Sequence, residues 1–229
     1  MSINNLVNIS QKINNDKLEI FRKNNQKIKI GIMGGTFDPI HYAHLATAEF
    51  IRDKYKLDKI VFIPSGNPPH KQTYKVGDKY DRYNMVILAT QNNENFIVSD
   101  IEVKRNKKTY TIDTLRELKK IYPNTEIYFI TGADAICDIE TWKEVEENFK
   151  LATFIAATRP GISLLRTEEK IQSLIKKYSA NILSVYVPSL DISSTYIREQ
   201  IKENKTIRYL VPDLVEEYII KNKLYQNGE

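Results

Sequence analysis

A chain of 229 residues suits one compact domain, or one domain with an extension, and 41% hydrophobic with 28% charged residues excludes an intrinsically disordered chain. The net charge of +5 comes from 34 Lys and Arg against 29 Asp and Glu, with a pI of about 9.0, an excess that fits phosphate-bearing metabolites as well as nucleic acid. A single cysteine, Cys137, excludes an internal disulfide framework and argues against a Cys-based metal site, and the lack of a signal-peptide core or long apolar run leads us to expect a cytoplasmic protein with no membrane segment.

Residues 1–27 read as an extension of unassigned role. Ile3, Leu6, Ile9, Ile13 and Leu18 have partly helical spacing, but seven Asn interrupt it, so the segment is expected to be weakly helical or frayed. From Lys27 the pattern changes. Ile28, Ile30 and Ile32 run as a strand into Gly34–Gly35, and 43–54 has helical spacing. A strand at 59–63, a helix at 78–91 and a short strand at 96–98 follow. Further on, the pattern gives helix 113–122, strand 126–130 ending at Gly132, strand 151–157, helix 168–178 and strand 182–187. Helices at 194–203 and 212–222 close the series. Short apolar strands alternating with longer helices predict an α/β fold, a Rossmann-like doubly wound parallel sheet, as a single domain over 28–225 with an N-terminal extension and a tail at 226–229. Ligands in such folds bind beyond the carboxyl ends of the strands.

Two segments carry the chemistry. The first is Gly34-Gly35-Thr36-Phe37-Asp38-Pro39-Ile40-His41-Tyr42-Ala43-His44, between the first strand and first helix. Its glycines admit close backbone approach, and its main-chain N–H groups with the helix N-terminus suit an anion. His41 and His44, three apart, share a helix face and can donate to charge developing on a phosphate. Metal binding by the two histidines lacks a third ligand nearby. The second segment is Ile192-Ser193-Ser194-Thr195-Tyr196-Ile197-Arg198. Ser193 or Ser194 can cap a helix there, and Arg198 can reach an anion at its start.

Together the segments resemble the two signatures of the nucleotidyltransferase superfamily, His-x-Gly-His and Ile-Ser-Ser-Thr-x-Ile-Arg, with Ala43 standing where Gly is usual. The resemblance implies that Gly34, Gly35, Thr36, Phe37, His41 and His44 line an ATP site. It implies that Ser193, Ser194 and Arg198 hold the β- and γ-phosphates, with Ile192 also ATP-binding and His41, His44 and Arg198 catalytic. Three more segments resemble the bacterial nicotinate-nucleotide adenylyltransferase family. They are Pro64-Ser65-Gly66-Asn67-Pro68-Pro69-His70-Lys71, Thr109-Tyr110-Thr111-Ile112-Asp113-Thr114-Leu115, and Gly132-Ala133-Asp134 followed by Trp142 and Arg159. By that resemblance Lys71, Tyr110, Thr111, Gly132, Asp134, Trp142 and Arg159 bind the nicotinate nucleotide. Tyr110 and Thr111 would lie near its carboxylate, Trp142 would stack on its ring and Arg159 would meet its phosphate. The expected activity transfers AMP from ATP to nicotinate mononucleotide in NAD biosynthesis, with Mg²⁺ bound mainly through ATP phosphates and no nucleic-acid partner. A homo-oligomer is left open. The competing readings are an adenylyltransferase preferring nicotinamide mononucleotide, and a catalytically silent nucleotide sensor or nucleic-acid binder.

Overall fold

The computed structural model describes residues 2–23, 28–67, 76–158, 164–188 and 190–226. Within them, six parallel strands form one sheet: β1 (Ile28–Gly35), β2 (Lys59–Pro64), β3 (Phe96–Val98), β4 (Thr125–Gly132), β5 (Thr153–Thr158) and β6 (Ile182–Tyr186). Their order is β3-β2-β1-β4-β5-β6, so the winding reverses between β1 and β4. That reversal opens a crevice at the carboxyl ends of the central strands, the usual ligand position in such sheets.

Helices cover both faces, as parallel strands buried on both sides require. One apolar layer joins Ile30, Ile32, Val61 and Phe154 to Leu115, Leu118, Ile171 and Leu174 of α4 (Thr111–Ile121) and α7 (Leu164–Tyr178). The opposite layer joins Met33, Phe62 and Ile130 to residues of α2 (Tyr42–Lys54), α3 (Lys79–Thr90), α8 (Ser194–Lys202) and α9 (Asp213–Lys221). The alternation of β1 therefore sends its isoleucines to one layer and Met33 to the other.

The strands and long helices lie where the sequence places them, with ends shifted by no more than four residues. Residues 151–152 are an exception: Leu151 ends α6 (Val145–Leu151), and β5 starts only at Thr153. The short helix α5 (Ala133–Cys137) and α6 were not anticipated, because each is too brief to show a period.

The larger difference is at the N-terminus. Residues expected to be weakly helical form a 21-residue helix, α1 (Ile3–Lys23), against α3, α9 and β3. Ile3 and Val7 are buried in the core. The polar residues that weakened the pattern are its anchors. The Asn14 side chain accepts from the Val98 N–H at 2.8 Å and donates to the Val98 carbonyl at 2.9 Å. It thus pairs with the outer edge of β3 as another strand would. Ser10 donates to Leu6 O and to Gln91 Oε1, and Lys17 donates to the carbonyls of Gln91, Asn93 and Phe96. Asn has weak helix propensity in isolation, and tertiary hydrogen bonds override it here.

Asn14→Ala leaves both backbone groups of Val98 without that partner, and the expected loss is about 1–3 kcal/mol. A melting temperature lower by several degrees is the expected result. An unchanged melting temperature would show that the edge is satisfied by water instead.

Candidate active site

A cavity of about 480 Å³ opens at the β1/β4 reversal. Its walls are the ends of β1, β4 and β5, the first turn of α2 and the entry to α8. Gly34, Gly35, Thr36, Phe37, His41, His44, Gly132, Asp134, Ile192, Ser193, Ser194 and Arg198 all line it, so residues from both sequence signatures share one space. Ala43 lines it too and is buried, which puts a methyl group in the wall where the superfamily pattern has none.

The first signature is shaped by its backbone. Phe37 has φ 51, in the left-handed region that a bulky side chain occupies at a cost of order 1–3 kcal/mol. That turn drives its ring beneath the loop, where it is buried against Phe62 and stands edge-on to His44 with centroids 5.1 Å apart. Gly35 passes directly over the ring, and a Cβ there would fall 2.9 Å from Phe37. His41 is the N-cap of α2, and its ring stacks on His44 at 3.7 Å. The His44 Nδ1 accepts from the His41 N–H at 3.3 Å, so the neutral ring carries its proton on Nε2. The amide of Tyr42 is not a phosphate donor in this arrangement, since it donates to Leu210 O at 3.1 Å.

The second signature is bound to the first. Ser193 caps α8 by accepting from the Tyr196 N–H at 3.1 Å. Ser194 Oγ donates to Pro39 O at 2.9 Å, and Arg198 Nη1 donates to Asp38 O at 2.6 Å across 160 residues. Its hydrogen bond commits the Ser194 hydroxyl proton to the loop. Asp38 is buried, although sequence reasoning gave its carboxylate no role in the site. Tyr225 Oη donates to Asp38 Oδ1 at 2.7 Å and the Gly77 N–H to Oδ2 at 3.3 Å. Burial, then the adjacent carboxylate, push the Tyr225 phenol far above its ordinary range, so it is a permanent donor.

Tyr110, Thr111 and Trp142 are not part of the cavity wall. Tyr110 is the N-cap of α4, with Lys143 Nζ 4.9 Å from its ring centroid. Beneath this segment, Thr114 Oγ1 donates to Glu102 Oε1 at 2.7 Å and accepts from Arg105 at 2.8 Å, and burial pushes the Glu102 carboxyl up. Trp142 is half-buried and meets Phe129 and Phe154 edge-on. Lys71 and Arg159 lie outside the described residues.

No group of three or more His, Cys, Asp or Glu among the described residues could hold a metal ion. The cavity offers imidazoles, hydroxyls and a guanidinium, which are partners for phosphate oxygens.

Donors for anionic oxygen gathered at the switch point of a doubly wound sheet are the equipment of a nucleotidyltransferase. The family model described as Cytidylyltransferase-like matches residues 32–200. A Thermoanaerobacter protein named "Probable nicotinate-nucleotide adenylyltransferase" is 54% identical over 205 residues, covering 89% of this chain and 97% of its own length. A Moorella thermoacetica protein of the same name is 51% identical, covering 86% and 92%. Among solved structures, the Plasmodium falciparum nicotinic acid mononucleotide adenylyltransferase complexed with NaAD is similar at TM-score 0.71 and 27% identity, covering 86% of this chain and 97% of that one. The chain belongs to the nicotinate-nucleotide adenylyltransferase family of nucleotidyltransferases. Enzymes of this class typically use a divalent metal.

The Tyr225–Asp38 bond yields a direct test. Tyr225→Phe removes a donor from a buried carboxylate, and a hydrogen bond of that kind is worth roughly 1.5–3 kcal/mol. The urea midpoint of this variant is expected to fall accordingly. A wild-type midpoint would mean that the C-terminal segment is not held by Asp38.

Proposed function

We propose that this protein transfers the adenylyl group of ATP to nicotinate mononucleotide, forming nicotinate adenine dinucleotide and pyrophosphate in the biosynthesis of NAD. The observation that carries the reading is the meeting of His41, His44 and Arg198 around one cavity, from segments far apart in sequence. Family membership supplies the acceptor, since relatives at about half identity bear that name.

The reaction joins two anions. An oxygen of the mononucleotide 5′-phosphate forms a bond to the α-phosphorus of ATP, and the bond from that phosphorus to the bridging oxygen breaks. The electron pair leaves with pyrophosphate. The nucleophile is already ionised at neutral pH, so positioning and charge neutralisation supply the acceleration. In our assignment the Nε2–H of His44 donates to the α-phosphate, with His41 stacked beside it. Arg198 and Ser193 face the β- and γ-phosphates. Gly34, Gly35, Thr36, Phe37, Ile192 and Ser194 shape the ATP side. Mg²⁺, when bound, would be held mainly through the ATP phosphates and would neutralise charge there.

On the acceptor side we assign Gly132, Asp134, Tyr110, Thr111 and Trp142, together with Lys71 and Arg159 from the sequence resemblance. A Cβ at Gly132 would meet nothing within 4 Å, which leaves the end of β4 open to a ligand. Trp142 packs against Phe129 and Phe154 and keeps part of its surface exposed, which suits a ring that stacks on a pyridine. None of the helices among the described residues is long and apolar enough to cross a membrane, and we assign the enzyme to the cytoplasm with ATP and the mononucleotide as its partners.

Pyrophosphate release from ATP, Mg²⁺ and nicotinate mononucleotide tests the activity, and preference for the amide mononucleotide would overturn the acceptor. His44→Ala should lower kcat/KM by about 100-fold or more, the order expected for one lost transition-state donor. A folded variant with a near-normal rate would remove His44 from the chemistry. Trp142→Ala should raise KM for the nicotinate nucleotide more than KM for ATP, whereas equal changes would argue against stacking.

A further inference from the structure

Arg82 is not matched by either signature, yet it is 1% exposed, one of the largest fully buried side chains of the protein. It sits in the first turn of α3, and its guanidinium donates to four main-chain carbonyls from three separate segments. Nη1 donates to Thr36 O at 2.7 Å, Nη2 to Ser65 O at 2.8 Å and Gly66 O at 3.3 Å, and Nε to Gly77 O at 2.9 Å. Thr36 belongs to the ATP loop after β1, and Ser65–Gly66 follow β2.

The contacts continue toward the acceptor side. Asn67 O accepts from the Thr109 N–H at 3.2 Å and from Thr109 Oγ1 at 3.4 Å. Thr109 directly precedes Tyr110 and Thr111. Gly77, which gives its carbonyl to Arg82, gives its N–H to the buried Asp38. A Cβ at Gly77 would fall 2.6 Å from Asp38 Oδ1, so this grip depends on glycine. Asp38 and Arg82 thus hold the same glycine, one through its N–H and the other through its carbonyl.

We propose that Arg82 is a positioning residue that sets the acceptor-binding segment 109–111 relative to the ATP loop, so that the two substrates meet in line. The proposal rests on the adenylyltransferase reading above and deepens it. The two sides of the clasp are unequally secured. The ATP loop is also held by Ser194 at Pro39 O and by Arg198 at Asp38 O. Segment 65–67 has one further main-chain tie to that loop, from the Ser65 N–H to Gly35 O at 2.8 Å. Two of the four Arg82 bonds, to Ser65 O and Gly66 O, fall on the side with less support. Lysine cannot replace the residue, because one ammonium has no planar fork with which to span three segments.

The test compares Arg82→Lys and Gly77→Ala with the wild-type enzyme. Arg82→Lys keeps the charge, and Gly77→Ala disturbs the same clasp without touching Arg82. Both are expected to raise KM for nicotinate mononucleotide at least ~10-fold while KM for ATP changes by less than ~3-fold. A purely structural role would lower the melting temperature and leave both KM values of the folded enzyme alone. Either variant, folded and with both KM values unchanged or raised equally, overturns the proposal. Hydrogen exchange at the Thr109 amide tests the positioning without any substrate. It should quicken in both variants while the amides of β1 and β4 stay protected, and unaltered protection at Thr109 also overturns the proposal. If wild-type enzyme fails to turn over nicotinate mononucleotide, the functional reading falls, and the exchange result still decides the role of Arg82 as a clasp.

Discussion

The site depends on two carbonyl groups. Asp38 O and Pro39 O receive Arg198 and Ser194, which enter from α8 at the far end of the chain. A parallel doubly wound sheet puts every strand end on the same side, but it does not bring loops of different strands into contact. Hydrogen bonds between the loops do that. Because the acceptors are main-chain atoms, the tie specifies the path of the phosphate loop as well as the place of a side chain. The turn at Phe37 serves the same end: its left-handed backbone places a ring under His44 and so limits the rotation of the imidazole. The cavity is therefore preorganised before any nucleotide arrives, which is the condition for electrostatic catalysis.

Much of this was readable in the amino-acid order, for a physical reason. Ile28, Ile30 and Ile32 alternate because β1 is a central strand that sends them to one layer, and Gly34–Gly35 follow where the strand ends at the cavity. Such features are local, and so are the cap at Ser193 and the paired histidines. Arg82, Asp38 and Tyr225 were not recognised as site residues, since their partners lie 46, 39 and 187 residues away. An arginine in a helix usually reads as solvated surface, and only the convergence of carbonyls from three loops makes its burial tolerable. Tyr110, Thr111 and Trp142 show the converse case. Their motif was legible, but the main cavity does not include them, and the connection runs through Asn67 and Thr109.

The N-terminal helix teaches a related lesson about propensity. Counting Asn as a helix breaker treats the side chain as a competitor for its own backbone. Asn14 instead spends both ends of its amide on Val98, on a strand edge that would otherwise present its backbone to solvent or to another chain.

A buried carboxylate behind a phosphate site looks counterproductive, because it repels the ligand. Its surroundings resolve the conflict. Asp38 receives the Tyr225 hydroxyl and the Gly77 amide, and its Oδ2 lies 4.0 Å from Arg198 Nη1. The two neutral donors spread its charge without consuming the guanidinium, whose closest bond goes to the carbonyl of the same residue. The long ion pair orients Arg198 without the tight bidentate grip that would hold it back from an incoming phosphate. Tyr225 and Arg82 then act from behind on a single loop, one through its carboxylate and the other through the Thr36 carbonyl. Charge that would oppose binding if left unpartnered becomes the means by which the C-terminal segment, α3 and the phosphate loop keep a common geometry.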